Sequence, residues 1–160
     1  MAAFSQLLKY SSSSRHEVLF LDESVFTANQ LQAKIWASTR QSSAKVNVQP
    51  LRFKAISVVA ATRMDGTVAH MQLEESAVNV EAFLAYLGKL RRPRGKTLAI
   101  FLDNLSVHRS RTVRQYCTRR GIRLVFNAPY SSEYNPVERL WALAKREFRR
   151  DMINVENFSR

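Results

Sequence analysis

Apolar residues fall along this chain in two alternating patterns. Val18-Leu19-Phe20-Leu21 is a continuous apolar run closed by Asp22-Glu23-Ser24, as in a strand buried on both faces. Lys54 to Thr62 predicts another strand, Met64-Asp65-Gly66-Thr67 a tight turn, and Val68 to Leu73 the returning strand of a hairpin. Leu98-Ala99-Ile100-Phe101-Leu102, closed by Asp103-Asn104, and Ile122 to Phe126 are two further apolar strands. Helical spacing intervenes. From Asn79, Val80, Phe83, Leu84, Leu87 and Leu90 keep the i, i+3, i+4, i+7 rule. Ser110 caps a helix to Arg120 with Val113, Tyr116 and Cys117 inward, and Gly121 ends it. A last helix begins at Asn135, with Val137, Leu140, Trp141, Ala144 and Phe148 as its buried stripe. A short helix, Ala3 to Lys9, opens the chain ahead of four serines. Residues 25–53 are weakly patterned, with a short strand at Lys34 to Ala37 and a loop or hairpin over Ser38 to Gln49.

Strands alternating with helices predict an α/β fold, a sheet with parallel members and helices packed on its faces. The 160 residues suit one domain, and no internal repeat divides them. With 46% apolar residues and only 4 Gly and 4 Pro, the chain is neither disordered nor fibrous. Its one cysteine, Cys117, excludes an internal disulfide and favours a reducing, intracellular compartment. No apolar run approaches the roughly 20 residues of a membrane span, and the N-terminus lacks the order of a secretory signal. The net charge of +12 changes the picture most. It points to a polyanionic partner, with nucleic acid ahead of an acidic membrane surface, and the plainer alternative is a soluble protein that merely tolerates many arginines.

Acidic residues are few, 13 in all, so each can be weighed singly. Asp22 and Asp103 each follow four or five apolar residues, and ligands of open α/β sheets bind beyond such strand ends. Two carboxylates on adjacent strand ends repel unless a cation lies between them, and Mg²⁺ accepts oxygen ligands of this kind. The plainer reading is that each aspartate caps a turn. Glu138 stands three residues after Asn135, with Pro136 between them, which is also a capping-box pattern. Its place beside the buried stripe, in line with Lys145 and Arg149, equally suits a metal facing a DNA backbone. His108, five residues after Asp103, either touches a phosphate, orients an Asp103 oxygen, or is merely polar at a helix entry; the last is preferred. Pleat alternation sends Glu23 to the opposite side from Asp22, which makes it secondary. Trp36 and Trp141 read as core residues.

Three segments then occur in a telling order: Val18 to Glu23, Ile100 to Asn104 through Val107-His108, and Pro129-Tyr130-Ser131 through Asn135-Pro136-Val137-Glu138-Arg139-Leu140-Trp141. Residues 104–137 separate Asp103 from Glu138, a gap of 34. Together they resemble the catalytic domain of mariner-like DDE transposases, in the retroviral integrase superfamily with the ribonuclease H-like fold. The resemblance runs from residue 18 to about 150. It implies a mixed five-stranded sheet with helices on both faces, flanked by an N-terminal extension (1–16) and a C-terminal tail (153–160) around a catalytic domain (17–152).

The resemblance also implies that Asp22, Asp103 and Glu138 are the catalytic, metal-binding triad, holding two Mg²⁺ or Mn²⁺ ions. The reaction would be hydrolysis of a DNA phosphodiester followed by attack of the freed 3′-hydroxyl on target DNA. Two cations about 4 Å apart activate the nucleophile and stabilise the leaving oxygen. Arg109, Arg111, Lys145 and Arg149 would hold phosphates without reading sequence, and Asn104 and His108 would be accessory. The partners would be transposon ends and target DNA, with a homodimer and no membrane, in the nucleus of a eukaryote or the cytoplasm of a bacterium. Two departures stand out: Ala128-Pro129-Tyr130-Ser131-Ser132 lacks two of the usual prolines, and Trp36-Ala37-Ser38-Thr39-Arg40 lacks the usual Pro and Gly. About 17 residues before the first strand are too few for the helix-turn-helix modules such transposases carry. A fragment, a truncated copy or a subunit with end recognition elsewhere is expected. The alternatives are a nuclease of the same fold that only hydrolyses, and a non-catalytic DNA-binding module.

Overall fold

The computed structural model describes residues 2–27, 54–128 and 135–158. The short strand at Lys34 to Ala37, the Ser38 to Gln49 loop, Trp36 and the Pro129-Tyr130-Ser131 motif lie outside them. After α1 (Ala2–Ser11) come β1 (His16–Phe26), β2 (Ile56–Thr62), β3 (Val68–Glu74) and α2 (Val80–Lys89). Then follow β4 (Thr97–Leu102), α3 (Ser106–Arg109), α4 (Arg111–Arg120), β5 (Arg123–Phe126) and α5 (Val137–Phe158). The strands form one mixed sheet in the order β3-β2-β1-β4-β5. β1 pairs antiparallel with β2 and parallel with β4, and β4 pairs parallel with β5.

Pleat alternation sorts the apolar runs onto two faces. Leu19, Leu21, Ile100 and Leu102 face Phe83 and Leu87 of α2 and Val113 and Cys117 of α4. Phe20, Phe101 and Val125 face the other way, against Leu7 of α1. Further along that second face, Phe26, Val58 and Ala60 pack under Val137 and Trp141 of α5. β1, β2 and β4 are apolar on successive residues because each one separates two helix-covered cores, whereas the edge strand β3 leaves Met71 and Leu73 exposed. Helix boundaries follow their caps. Asn79 accepts the Ala82 N–H and Ser110 the Val113 N–H. Gly121, at φ +66, closes α4 in the left-handed conformation that costs glycine nothing.

Two elements differ from the sequence expectation. β1 does not stop at its acidic residues: it continues to Phe26, because Asp22, Ser24 and Phe26 remain paired with Ala60, Val58 and Ile56 of β2. The stretch between Asp103 and Ser110, expected as a plain loop, holds the single-turn helix α3. The first difference shapes the site. Pairing of β1 with β4 ends at Phe20 and Phe101, while β1 runs on beside β2. Two residues beyond that last pair stand Asp22 and Asp103.

Candidate active site at the carboxyl ends of β1 and β4

Asp22 lies within β1, on the face that carries α5. Its Oδ2 accepts the indole N–H of Trp141 at 3.1 Å. Trp141 is thus the core residue expected, and its polar edge has a second role in orienting this carboxylate. Burial pushes the Asp22 carboxyl up to about 7; the Glu23 amide and the Trp141 N–H oppose the rise, while the charges of Glu23 and Glu138 add to it. Glu138, half-buried in the first turn of α5, is therefore close enough to be felt at Asp22.

Asn135 anchors that first turn. It is buried, donates from Nδ2 to the Leu21 carbonyl at 3.3 Å, and accepts the Val137 N–H on Oδ1 at 3.4 Å. The N-cap half of the capping box is present. Among the described residues Glu138 makes no side-chain bond back to the Asn135 amide, which leaves its carboxylate uncommitted to the helix end.

Asp103 follows the last residue of β4. Its Oδ1 accepts two hydrogen bonds, from the Leu105 amide at 3.0 Å and from Nδ1 of His108 at 2.8 Å. Burial raises this carboxyl, but the bonds from His108 and Leu105 and the His108 charge outweigh it and leave it below the ordinary carboxylate range. His108 is completely buried in α3. Its ring lies against Phe83 of α2, with centroids 4.5 Å apart, and its Nε2 is 2.8 Å from Oε1 of Glu23. Burial lowers its pKa, yet the two carboxylates prevail and push it up to about 9. His108 is thus an imidazolium donating from both nitrogens at neutral pH. A side chain so enclosed reaches no phosphate; of the three roles open to His108, the one it occupies is orientation of an Asp103 oxygen.

Glu23 was the residue that sequence reasoning undervalued. Pleat alternation does send it away from Asp22, but onto the face where His108 waits. The available signal was the pairing of Glu23 with a histidine five residues after the other strand-end aspartate. Nothing local in the sequence said that β1 and β4 would be neighbours. Asn104 takes a structural part here, donating its side-chain amide to the Asn127 carbonyl at the end of β5.

Around this end of the sheet the charges are unevenly placed. Among the described residues neither Asp22 nor Glu138 has a lysine or arginine at ion-pair distance, in a chain of net charge +12. Hard oxygen donors crowded without a cation suit a divalent ion. Among the described residues no group of three His, Cys, Asp or Glu side chains is gathered closely enough to hold a metal ion, so Asp22, Asp103 and Glu138 do not form a ready-made cage. The arginines lie outside it. Arg109, Arg111, Arg114 and Arg119 line a shallow concavity of about 740 Å³ along α4, with Gln115 and Thr118. Arg109 and Arg114 also stand over the Phe126 ring, 5.6 and 5.5 Å from its centre. Lys145 and Arg149 share one side of α5, seven and eleven residues after Glu138.

Solved structures share the fold. The Mos1 mariner paired-end complex with Mn matches at a TM-score of 0.70 with 19% identity, over 91% of this chain and 46% of that one. The Mos1 transposase catalytic domain with Raltegravir and Mg matches at 0.63 with 19% identity, over 91% and 68%. An intasome of simian T-cell lymphotropic virus, in complex with a PP2A regulatory subunit, matches at 0.55 with 16% identity, over 79% and 37%. At these identities the likeness is one of fold, the ribonuclease H-like fold of transposases and integrases. The chain spans slightly less than half the length of the Mos1 chain in its paired-end complexes. No curated protein matches the sequence. The family model of the DDE superfamily endonucleases, however, runs from residue 17 to residue 159 and so takes in every element from β1 to α5, which makes this chain a member of that family.

Proposed function

We propose that residues 17–152 form the catalytic domain of a DNA transposase, between an N-terminal extension (1–16) and a tail (153–160), and that Asp22, Asp103 and Glu138 are its metal-binding triad. One observation carries the reading: two aspartates at the same end of adjacent parallel strands, with the charge of Glu138 on α5 felt at the first of them. Asp22 and Asp103 would hold two Mg²⁺ or Mn²⁺ ions together with Glu138. When bound, such ions activate a water or a 3′-hydroxyl and stabilise the oxygen leaving phosphorus.

The chain's own residues do the rest. Trp141 and His108 each hold one oxygen of an aspartate and so limit its rotation. Arg109 and Arg111 on α4, with Lys145 and Arg149 on α5, would receive the phosphates flanking the scissile bond. The reaction would break a phosphodiester of a transposon end and join the freed 3′-hydroxyl to target DNA. Bringing two ends together calls for two copies of the chain.

The test is Asp103→Asn, which keeps the shape and the Leu105 bond but removes the charge. It should reduce Mn²⁺-dependent nicking of plasmid DNA by at least about a thousandfold, since the metal contribution is several kcal/mol. Nicking at the unaltered rate would refute the assignment. Strand transfer is scored separately, by covalent joining of a labelled 3′-end to plasmid.

A further inference from the structure

Glu23 is nearly enclosed, with 12% of its side chain exposed, and its charge lies against the core that contains Tyr86 and Phe83. Only Oε1 is used, on His108; Oε2 is buried with no hydrogen-bond partner among the described residues. A buried carboxylate with one idle oxygen is a poor device for stability. Desolvation cancels much of the attraction in such pairs, and apolar side chains of similar size often serve the fold as well. The arrangement at the other end of the imidazole gives it a purpose. Both hydrogen bonds to Asp103 fall on Oδ1, and Oδ2 receives none among the described residues. His108 cannot turn, because Glu23 holds Nε2 and Phe83 covers the ring.

We infer that Glu23 and His108 are positioning residues for Asp103, forming a buried brace that engages Oδ1 and presents Oδ2 at the open strand end as the oxygen for the divalent cation. The inference rests on the triad reading above. It goes beyond that reading in assigning different roles to the two oxygens of one carboxylate and in enlisting a residue from the opposite face of β1.

The experiment measures Mn²⁺ affinity of the full chain from the free-ion EPR signal, without DNA, alongside the melting temperature of each variant. His108→Ala should weaken Mn²⁺ binding about 10- to 100-fold, the usual loss when an outer partner of a metal ligand is removed. His108→Asn, whose amide can donate where Nδ1 does, should recover part of that loss. Glu23→Gln alters the brace most gently and should weaken binding by about threefold to tenfold. Leu90→Ala loosens the same core without touching His108 or a carboxylate, so its melting temperature should fall while its Mn²⁺ affinity stays.

If the unaltered chain binds no Mn²⁺, the triad reading fails and this inference with it. If the unaltered chain binds and His108→Ala and Glu23→Gln bind equally well, the brace alone is refuted. If Leu90→Ala loses as much affinity as His108→Ala, the pair merely supports the fold. Should His108→Ala fail to fold by circular dichroism, His108→Asn and Glu23→Gln decide the matter by the same affinities.

Discussion

Asp22 and Asp103 occupy equivalent places on neighbouring parallel strands, yet their carboxyl groups are held in opposite ways. Asp22 is gripped by a neutral donor, the Trp141 indole, and has two carboxylates for neighbours, so burial prevails and its pKa rises to about 7. Asp103 is gripped by an imidazolium and a backbone amide, so burial is overruled and its pKa falls. Position in the sheet therefore brings the two side chains to one end but does not fix their charge. The donor that each face of the sheet supplies does: a tryptophan from α5 on one side, a histidine from α3 on the other. Burial thus works against the charge of Asp22, whereas the donors around Asp103 favour its charge.

The contrast can be broken most severely at Trp141. Trp141→Ala empties a buried site and should cost about 3–5 kcal/mol in urea unfolding. Trp141→Phe keeps most of the volume and loses the N–H, so the Asp22 carboxyl should titrate still higher, as read from its ¹³C resonance.

Asp22→Asn sharpens the comparison from the other side. Removing a carboxyl that burial disfavours should stabilise the metal-free fold at pH 8 by roughly 2–4 kcal/mol. That gain should vanish below about pH 4, where Asp22 is protonated in both the folded and the unfolded chain. A variant no more stable than the unaltered chain at pH 8 would contradict the raised pKa.

A pH series separates the two sides again. Between pH 4 and 7 the folded chain keeps a proton on Asp22 that the unfolded chain has released, so stability falls as pH rises. Between pH 6.5 and 9 the same holds for His108, whose folded pKa is raised to about 9. Each group should contribute a slope of up to about 1.4 kcal/mol per pH unit within its window. Asp103, with its lowered pKa, acts in the reverse sense: its stabilisation is present above the ordinary carboxylate range and is lost as pH falls through it. Urea unfolding from pH 3 to 9 should show both limbs, and Asp22→Asn should flatten only the segment from 4 to 7. The smallest effect expected is at Ser110, which starts α4 directly after α3. Ser110→Ala removes one N-cap bond and should cost about 1 kcal/mol on thermal unfolding.

Most of the frame was legible because its signals are local. Continuous apolar runs that end in an acidic residue marked β1 and β4; the Asn79 and Ser110 caps and Gly121 marked α2 and α4. Asn135 and the Val137-Leu140-Trp141 stripe placed the start of α5. What escaped was carried by pairing between distant segments. β1 outruns its apolar stretch because β2 continues beside it, and no pattern within residues 16–26 records that neighbour. Glu23 looked secondary for the same reason, since its partner lies 85 residues away. The order and gap of Asp22, Asp103 and Glu138 gave the family, while the state of each carboxylate depended on burial and ring donors that only the folded chain assembles.

The strand order has a consequence for the timing of assembly. β1 is made among the first elements, but its parallel partner β4 begins 81 residues after β1 does, and α5 comes last. Parallel pairing of segments so far apart is slow, because a long loop must close before any contact forms. A ribosome adding roughly 5–20 residues per second leaves Asp22 without its neighbours for several seconds. During synthesis the antiparallel β1-β2-β3 portion can form early, but the end of the sheet that unites β1, β4 and α5 cannot exist until α5 has emerged. That end of the sheet is therefore among the last parts of this fold to be completed.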